Sequence, residues 1–377
     1  MNKNPLVSIC TTFFNAERYI HRLLESCLNQ THRNVEIVIL DDASTDGSER
    51  VIREYIARDS RVKYFKNDAR VGLSESLSKL FKLARGDFSM MIGADDWLKE
   101  DYIENGVRNF SEHPDAAGVV PKVVSLSEVS DGKFEYGSET DFPSRVYSAK
   151  WFMKRMYRPV LLYISGYALV RNKDLVSAGD YHTQNYYHNP SKSIPEELRE
   201  FFRRGYGTDS MLFPEILTRY KYFIFDDSMS YIKISHWENQ YFESNRDSVY
   251  EIFKDSYYFM LIYKFIYKSK WPGFYRGMKI FRGAEALSTV FIHFFRCRLH
   301  PSFSNVSKSR KLISDFFSDF SVFEIIMAVT YSIPMAIYRG LIFAGKKLFR
   351  REKDKTKGHS IFTQENFLSP EGRFKVN

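Results

Sequence analysis

Residues 88–96 read Phe-Ser-Met-Met-Ile-Gly-Ala-Asp-Asp. The stretch Phe88–Ile92 suits a buried strand, and it opens onto two adjacent carboxylates, Asp95 and Asp96. Neighbouring carboxylates repel, and a divalent cation relieves the repulsion. A hard cation such as Mg²⁺ is commonly held by one or two carboxylates together with substrate phosphates. The chemistry implied is a metal–diphosphate site in an enzyme acting on an activated phosphate ester. A second acidic pair, Asp41-Asp42, ends a second strand read over Val35–Leu40. A nucleotide bound nearby would need an acceptor for a base N–H, which Asp42 offers, and a cation beside its phosphates, which Arg70 offers. The plainer alternative is that such acids only cap helices or shape turns, and Asp46 and Ser44 suit that role.

These groups need elements to position them. Val7–Cys10 reads as a strand. Ile20, Leu23, Leu24, Cys27 and Leu28 mark one helix face, with Asn15 placed to cap it. A strand over Val35–Leu40 leads into the turn-and-cap cluster Ser44–Ser48, and Val51, Ile52, Tyr55 and Ile56 mark a second helix. Val62–Phe65 is a third strand, and Leu77, Leu80, Phe81 and Ala84 mark a third helix stopped by Gly86. Repeated strand–helix units predict an α/β fold with a mainly parallel sheet flanked by helices. The polar loops Thr11–Asn15, Asp41–Asp46, Asn67–Gly72 and Gly93–Asp96 then share one edge, where open sheets bind ligands. Neither a G-x-G-x-x-G after the first strand nor a G-x-x-x-x-G-K-[ST] is present, which disfavours dinucleotide dehydrogenases and P-loop enzymes. From 120 to 235 the pattern predicts short strands at Tyr163–Ser165, Ala168–Val170 and Tyr222–Phe225 among polar loops.

The 377 residues carry a net charge of +9, which favours an anionic partner. Cys10, Cys27 and Cys297 lack metal or redox spacing, as in a reduced, cytoplasmic chain. The start runs directly into a strand, with no signal-peptide pattern.

Val7-Ser8-Ile9-Cys10-Thr11-Thr12-Phe13-Phe14-Asn15 resembles the opening block of glycosyltransferase family 2. Gln30-Thr31 and Glu36–Ser48 resemble its second block. Asn67–Gly72 with Ala84-Arg85-Gly86-Asp87 resembles the third, and Ile92-Gly93-Ala94-Asp95-Asp96 its metal motif. The resemblance covers about residues 6–236. It implies the GT-A fold and inverting transfer of a sugar from a nucleotide donor with Mn²⁺ or Mg²⁺. It implies that Thr12 and Asp42 hold the base, with Glu17 near it. Asp95 would contact ribose or metal, Asp95 or Asp96 the metal, and His236 the metal or diphosphate. Gly93 stands where many members carry the motif's first Asp, Phe14 where Tyr is usual, and Thr12 where Pro is common. Gly205–Leu212 resembles the block that supplies the general base, making Asp209 the candidate; a helix cap is its alternative. Ser165-Gly166-Tyr167-Ala168 resembles the acceptor-side glycine segment. His182 and His188 read as surface residues.

The expected organisation is a catalytic domain over 1–240, with a nucleotide-sugar half (1–118) and an acceptor half (119–240). A helical, basic-aromatic region over 241–350 and a charged tail over 351–377 follow. Ile325–Tyr338 is an uncharged apolar run, too short to span a bilayer comfortably. The basic residues Lys346, Lys347, Arg350 and Arg351 come soon after it. Together they suggest a peripheral helix on an anionic membrane surface at the inner face of the cell membrane. The alternative is a helical cap with a solvated basic face. No nucleic-acid motif is found. The expected function is transfer of a sugar from a nucleotide donor, expected to be UDP-linked, to a lipid-linked or polysaccharide acceptor of the cell envelope, such as lipopolysaccharide. A nucleotidyltransferase on a similar sheet and a non-catalytic nucleotide-sugar-binding module stand as alternatives.

Overall fold

A computed structural model describes residues 4–155 (without 131 and 141), 164–183, 208–235, parts of 275–288 and 313–318, 320–337, and 361–362. The chain divides into two units, Met1–Ser235 with Ile361–Asn377, and His236–Ser360.

The first unit opens with β1 (Val7–Phe13), α1 (Ile20–Leu28), β2 (Val35–Asp41), α2 (Ser48–Ile56), β3 (Val62–Lys66), α3 (Leu73–Leu83) and β4 (Phe88–Met91). Next come β5 (Trp97–Leu98), α4 (Tyr102–Glu112), β6 (Gly118–Ser130), β7 (Lys133–Glu139), β8 (Arg145–Ser148) and α5 (Ala149–Arg155). The unit ends with β9 (Leu169–Arg171), α6 (Asn172–Thr183), α7 (Thr208–Leu217), β10 (Tyr222–Ser235) and β11 (Ile361–Phe362). All these strands join one sheet. β3, β2, β1 and β4 lie side by side and parallel. Beyond β4 the sheet becomes mixed: β9 runs antiparallel to both β4 and β6, while β10 is parallel to β6. Every residue of β2 is buried and all of β1 but the half-buried Thr12, as expected of central strands covered on both faces. β3 is polar and mostly outside the core, which suits its place at the edge.

Helix α1 buries Ile20, Leu23, Leu24 and Cys27, the face its spacing predicts. Asn15 does not cap it. Asn15 has a left-handed φ of 57°, and its side-chain oxygen accepts the Thr45 N–H at 2.9 Å, so it ties two loops together instead. Gly86 does not stop α3 either, since the chain turns extended at Ala84. A Cβ on Gly86 would lie 2.6 Å from the Phe88 carbonyl oxygen and 2.7 Å from the Ser8 nitrogen, so glycine is needed for close approach of two strands. The Gln30-Thr31 block has a structural explanation as well. The buried Gln30 amide donates to the carbonyls of Ser26 and Lys99 and accepts from the Ile103 N–H, joining α1 to α4.

Between 120 and 235 the strands are longer than the pattern predicts. β6 and β7 form an extended hairpin, and β10 continues to Ser235. A register shift between Asp226 and Ser230 breaks the alternation of β10, which is why only its first part is legible from periodicity. Residues 164–165 are helical rather than extended.

In the second unit the described residues of 275–288 and 313–318 are helical, as are 322–337. Ala286, Phe316 and Phe320 form its core, with Leu287, Ile313, Phe317 and Ile325 against them.

Candidate active site

The register of the parallel strands brings four loops to one edge. The Asp42 N–H donates to the Phe13 carbonyl, the Asn67 N–H to that of Asp41, and the Ile92 N–H to that of Cys10, each at 2.9 Å. The loops after β1, β2, β3 and β4 therefore leave the sheet together, where ligands of open α/β sheets bind.

The two acids after β2 play different parts. Asp41 is fully buried; it accepts the Ser44 N–H at 2.7 Å and the Tyr64 hydroxyl at 2.8 Å. Asp42, 4% exposed, braces the loop after β3. Its Oδ1 accepts from Asn67 Nδ2 and the Val71 N–H, and its Oδ2 from the Gly72 N–H, all at 2.9 Å. A carboxylate has about four acceptor positions. Three are filled here, which leaves Oδ2 capacity for one further N–H.

The Thr12 hydroxyl donates to the Leu40 carbonyl at 2.7 Å, which keeps its lone pairs for other donors. Glu17 accepts from the Gly47 N–H at 2.9 Å and pairs with Arg50 at 3.2 Å, so it closes the loop after β1 onto the start of α2. A Cβ on Gly47 would stand 2.0 Å from Glu17 Oε1, so the glycine lets this carboxylate close on the loop. Arg70 is exposed and lies over the Phe14 ring, 3.9 Å from its centroid. Phe14 thus anchors the one cation of the Asn67–Gly72 loop at the sheet edge.

After β4, Asp95 is half-buried and Asp96 is 3% exposed. Asp96 Oδ2 accepts the Tyr231 hydroxyl at 2.6 Å and Oδ1 the Ile234 N–H at 2.8 Å, so this carboxyl faces β10. Tyr231 also accepts the Gly93 N–H at 3.1 Å and stacks on Tyr167, with ring centroids 3.9 Å apart. Burial, reinforced by neighbouring Asp95, pushes the Asp96 carboxyl up to about 7 against the pull of Lys233, Tyr231 and Ile234. Gly93 lets the two acids come close: a Cβ there would stand 2.8 Å from Asp96 Oδ2 and 3.0 Å from Asp95 Oδ1. Tyr231 is the residue that sequence reasoning misses, and Tyr167 enters there only as part of the Ser165–Ala168 segment, with no link to Asp96. The run Tyr231-Ile232-Lys233-Ile234 alternates like a strand, but nothing in it points to Asp96.

Asp209 lies in the first turn of α7, with Ser165, Gly166 and Ala168 lining the same small cavity as Leu212, Phe213 and Ile216 of that helix. Only the backbone of Asp209 is described. His236, His188 and Gly205–Gly207 lie outside the described residues, as does the side chain of His182. Among the described residues no three His, Cys, Asp or Glu side chains cluster as a metal site would.

Residues 8–174 match the model of glycosyl transferase family 2. EpsH of Bacillus subtilis (strain 168) is 37% identical over 113 residues, which are 30% of this chain and 33% of that protein. The glycosyltransferase GlyG of Streptococcus pneumoniae serotype 4 is 29% identical over 133 residues, 35% of this chain and 44% of that protein. The chondroitin synthase of Escherichia coli is 35% identical over 104 residues, 28% of this chain and 15% of that protein. The matches thus span less than half the length of each of these relatives. The crystal structure of S. aureus TarS 1–349 in complex with UDP-GlcNAc has the same fold, with a TM-score of 0.56 over 88% of this chain and 89% of that one at 14% identity.

Proposed function

We propose that this chain, whose residues 8–174 belong to glycosyl transferase family 2, transfers a sugar with inversion from a UDP-linked donor to a lipid-linked or polysaccharide acceptor of the cell envelope. The observation that carries the reading is the shared edge of four loops, with an unused acceptor position on Asp42 beside the Arg70 cation and with Asp95 at the end of the neighbouring strand. The solved relative bound to UDP-GlcNAc supports the choice of donor class.

Asp42 would take a base N–H while keeping the loop after β3 in place, and Thr12 would lie beside it. Arg70 would bind the diphosphate, held in place by its stacking on Phe14. The acids after β4 fit a hard cation, because burial and crowding of two carboxylates disfavour their joint ionisation. Asp95 and the donor's diphosphate would hold Mn²⁺ or Mg²⁺, with Asp96 positioning the loop through Tyr231 and Ile234. Such an ion supplies neutralisation of charge on the departing diphosphate. The acceptor hydroxyl attacks the anomeric carbon from the face opposite the diphosphate, and its proton passes to Asp209 as general base. His236 would lie near the diphosphate.

Titration calorimetry with UDP, with and without Mn²⁺, tests the site. Binding that Mn²⁺ strengthens and that Asp95→Ala makes insensitive to Mn²⁺ is expected. Absence of UDP binding by the wild type would overturn the donor assignment, and release of pyrophosphate rather than UDP on turnover would indicate nucleotidyl transfer.

A further inference from the structure

The helix over 322–337 is amphipathic in an inverted sense. Its single charged side chain, Glu324, is 5% exposed and faces inward, with Ala328 and Ser332 one and two turns further along the same buried face. Glu324 accepts from Lys279 Nζ at 2.8 Å and from the Ser321 N–H at 2.8 Å, and pairs with Arg276 at 3.3 Å. Burial pushes its carboxyl up, but Lys279 and Ser321 outweigh that and hold it below its ordinary value, so it stays charged and neutralised inside.

The outward face is apolar. Val322 is 75% exposed, Ile326 56%, Val329 44%, Ile333 53% and Ile337 59%. Their spacing of three and four residues places them in one stripe. Phe323 and Tyr331 flank it and are also more than half exposed. So many large apolar side chains on one helix form a contiguous patch, and a patch of this kind marks an interaction surface.

We propose that this stripe seats the protein on an anionic lipid bilayer, the helix lying in the interface parallel to the membrane plane. Charge selects this occupant. The stripe carries no acid, and the exposed Arg276 stands at its start, its guanidinium 5.4 Å from the exposed Phe323 ring. In sequence Arg339, Lys346, Lys347, Arg350 and Arg351 follow the helix. A chain of net charge +9 is repelled by a second copy of itself and attracted to anionic lipid. Length selects the orientation. The uncharged run between Glu324 and Arg339 is 14 residues, about 21 Å as a helix, short of the roughly 30 Å hydrocarbon core, and no helix among the described residues is long and apolar enough to cross a membrane. A basic-flanked apolar face of this size suits the boundary between head groups and acyl chains. The inference rests on the second unit alone and is independent of the sugar-transfer reading.

Flotation of the full chain with phosphatidylcholine vesicles, with and without added phosphatidylglycerol, tests it. The wild type should float with the anionic vesicles, and high salt should reduce but not abolish this. Ile326→Glu with Ile333→Glu places two acids on the outer face without touching Glu324 or its partners, and should lower partitioning at least about tenfold. Hydrogen exchange on the wild type provides a second measurement that needs no variant: anionic vesicles should protect the amides of 322–337. Equal flotation of the double variant, no vesicle-dependent protection of 322–337, or a wild-type dimer that the double variant dissolves without any lipid binding would each overturn the proposal.

Discussion

Tyr231 and Asp96 are 135 residues apart in sequence, yet the Tyr231 hydroxyl donates to Asp96 Oδ2 at 2.6 Å. The Tyr231 hydroxyl oxygen also accepts the Gly93 N–H, so one phenol from β10 holds both ends of the Gly93–Asp96 loop. This contact fixes where Asp95 stands relative to the other three loops. It also places a carboxyl in a buried setting beside a second acid, and that has a measurable consequence.

Asp96→Asn should flatten the dependence of stability on pH. The Asp96 carboxyl is raised from 3.8 to about 7 in the folded protein. Between these values the native state keeps a proton that the unfolded chain has lost. Stability therefore falls as pH rises from about 4 to about 7 and levels off above that. Asparagine does not titrate, so the variant should gain on the wild type steadily across this window. Denaturant unfolding of both proteins at several pH values between 4 and 8 checks it; a constant difference would mean that Asp96 ionises normally.

Asp42→Ala and Arg70→Ala should separate bracing from binding. Removing Asp42 strands the Asn67 side-chain amide and the Val71 and Gly72 N–H groups, and should cost about 1–3 kcal/mol of stability. Arg70 is exposed and contributes only its stacking on Phe14, so its loss should cost under about 1 kcal/mol. Both variants should weaken UDP binding. Chemical denaturation paired with calorimetry reads the two effects separately.

Gly86→Ala should be far more costly than Gly47→Ala. At Gly86 the added methyl meets a carbonyl oxygen at 2.6 Å and a backbone nitrogen at 2.7 Å, neither of which can rotate away. A loss of about 1–3 kcal/mol is expected, as for other overpacked sites. At Gly47 the methyl meets the carboxylate of Glu17, which is exposed and can swing out, sacrificing its bonds to the Gly47 N–H and Arg50. Thermal unfolding of the two variants should show a clear midpoint drop only for Gly86→Ala.

The parallel half of the fold was legible because β1, β2 and β4 are apolar runs ending in polar loops, and because α1 to α3 bury regular faces. The acids at 41, 42, 95 and 96 stand out for the same reason: each pair ends a buried strand. Their partners were not legible. Asp42 reaches main-chain donors about 30 residues away, and Asp96 reaches β10, whose alternation is broken at Asp226–Ser230. Local periodicity carries no information about such distant pairs. The Asn15 and Gly86 expectations failed because a local capping rule was outweighed by tertiary contacts, to Thr45 in one case and to Ser8 in the other. The exposed stripe of 322–337 was visible only as an apolar run, since sequence alone does not say which face turns outward.

Asp209→Asn should lower turnover by about 10²–10⁴-fold, the usual contribution of a general base, while leaving UDP affinity unchanged. The residue opens α7, whose later turns line the cavity shared with the Ser165–Ala168 segment, so it stands on the element that borders the proposed acceptor side. A carboxylate in the first turn of a helix is also a natural cap, and a cap explains its presence without any catalysis. The two roles differ in what they predict. A cap is largely restored by asparagine, which bonds the same amides, so a purely structural Asp209 would give an asparagine variant of near-normal stability and rate. A general base is not restored, because the amide cannot take the acceptor's proton. Single-turnover rates with a UDP-sugar that the wild type uses, read beside thermal midpoints, distinguish them. Loss of rate at an unchanged midpoint assigns Asp209 to proton transfer, and retention of near-full rate removes it from the mechanism.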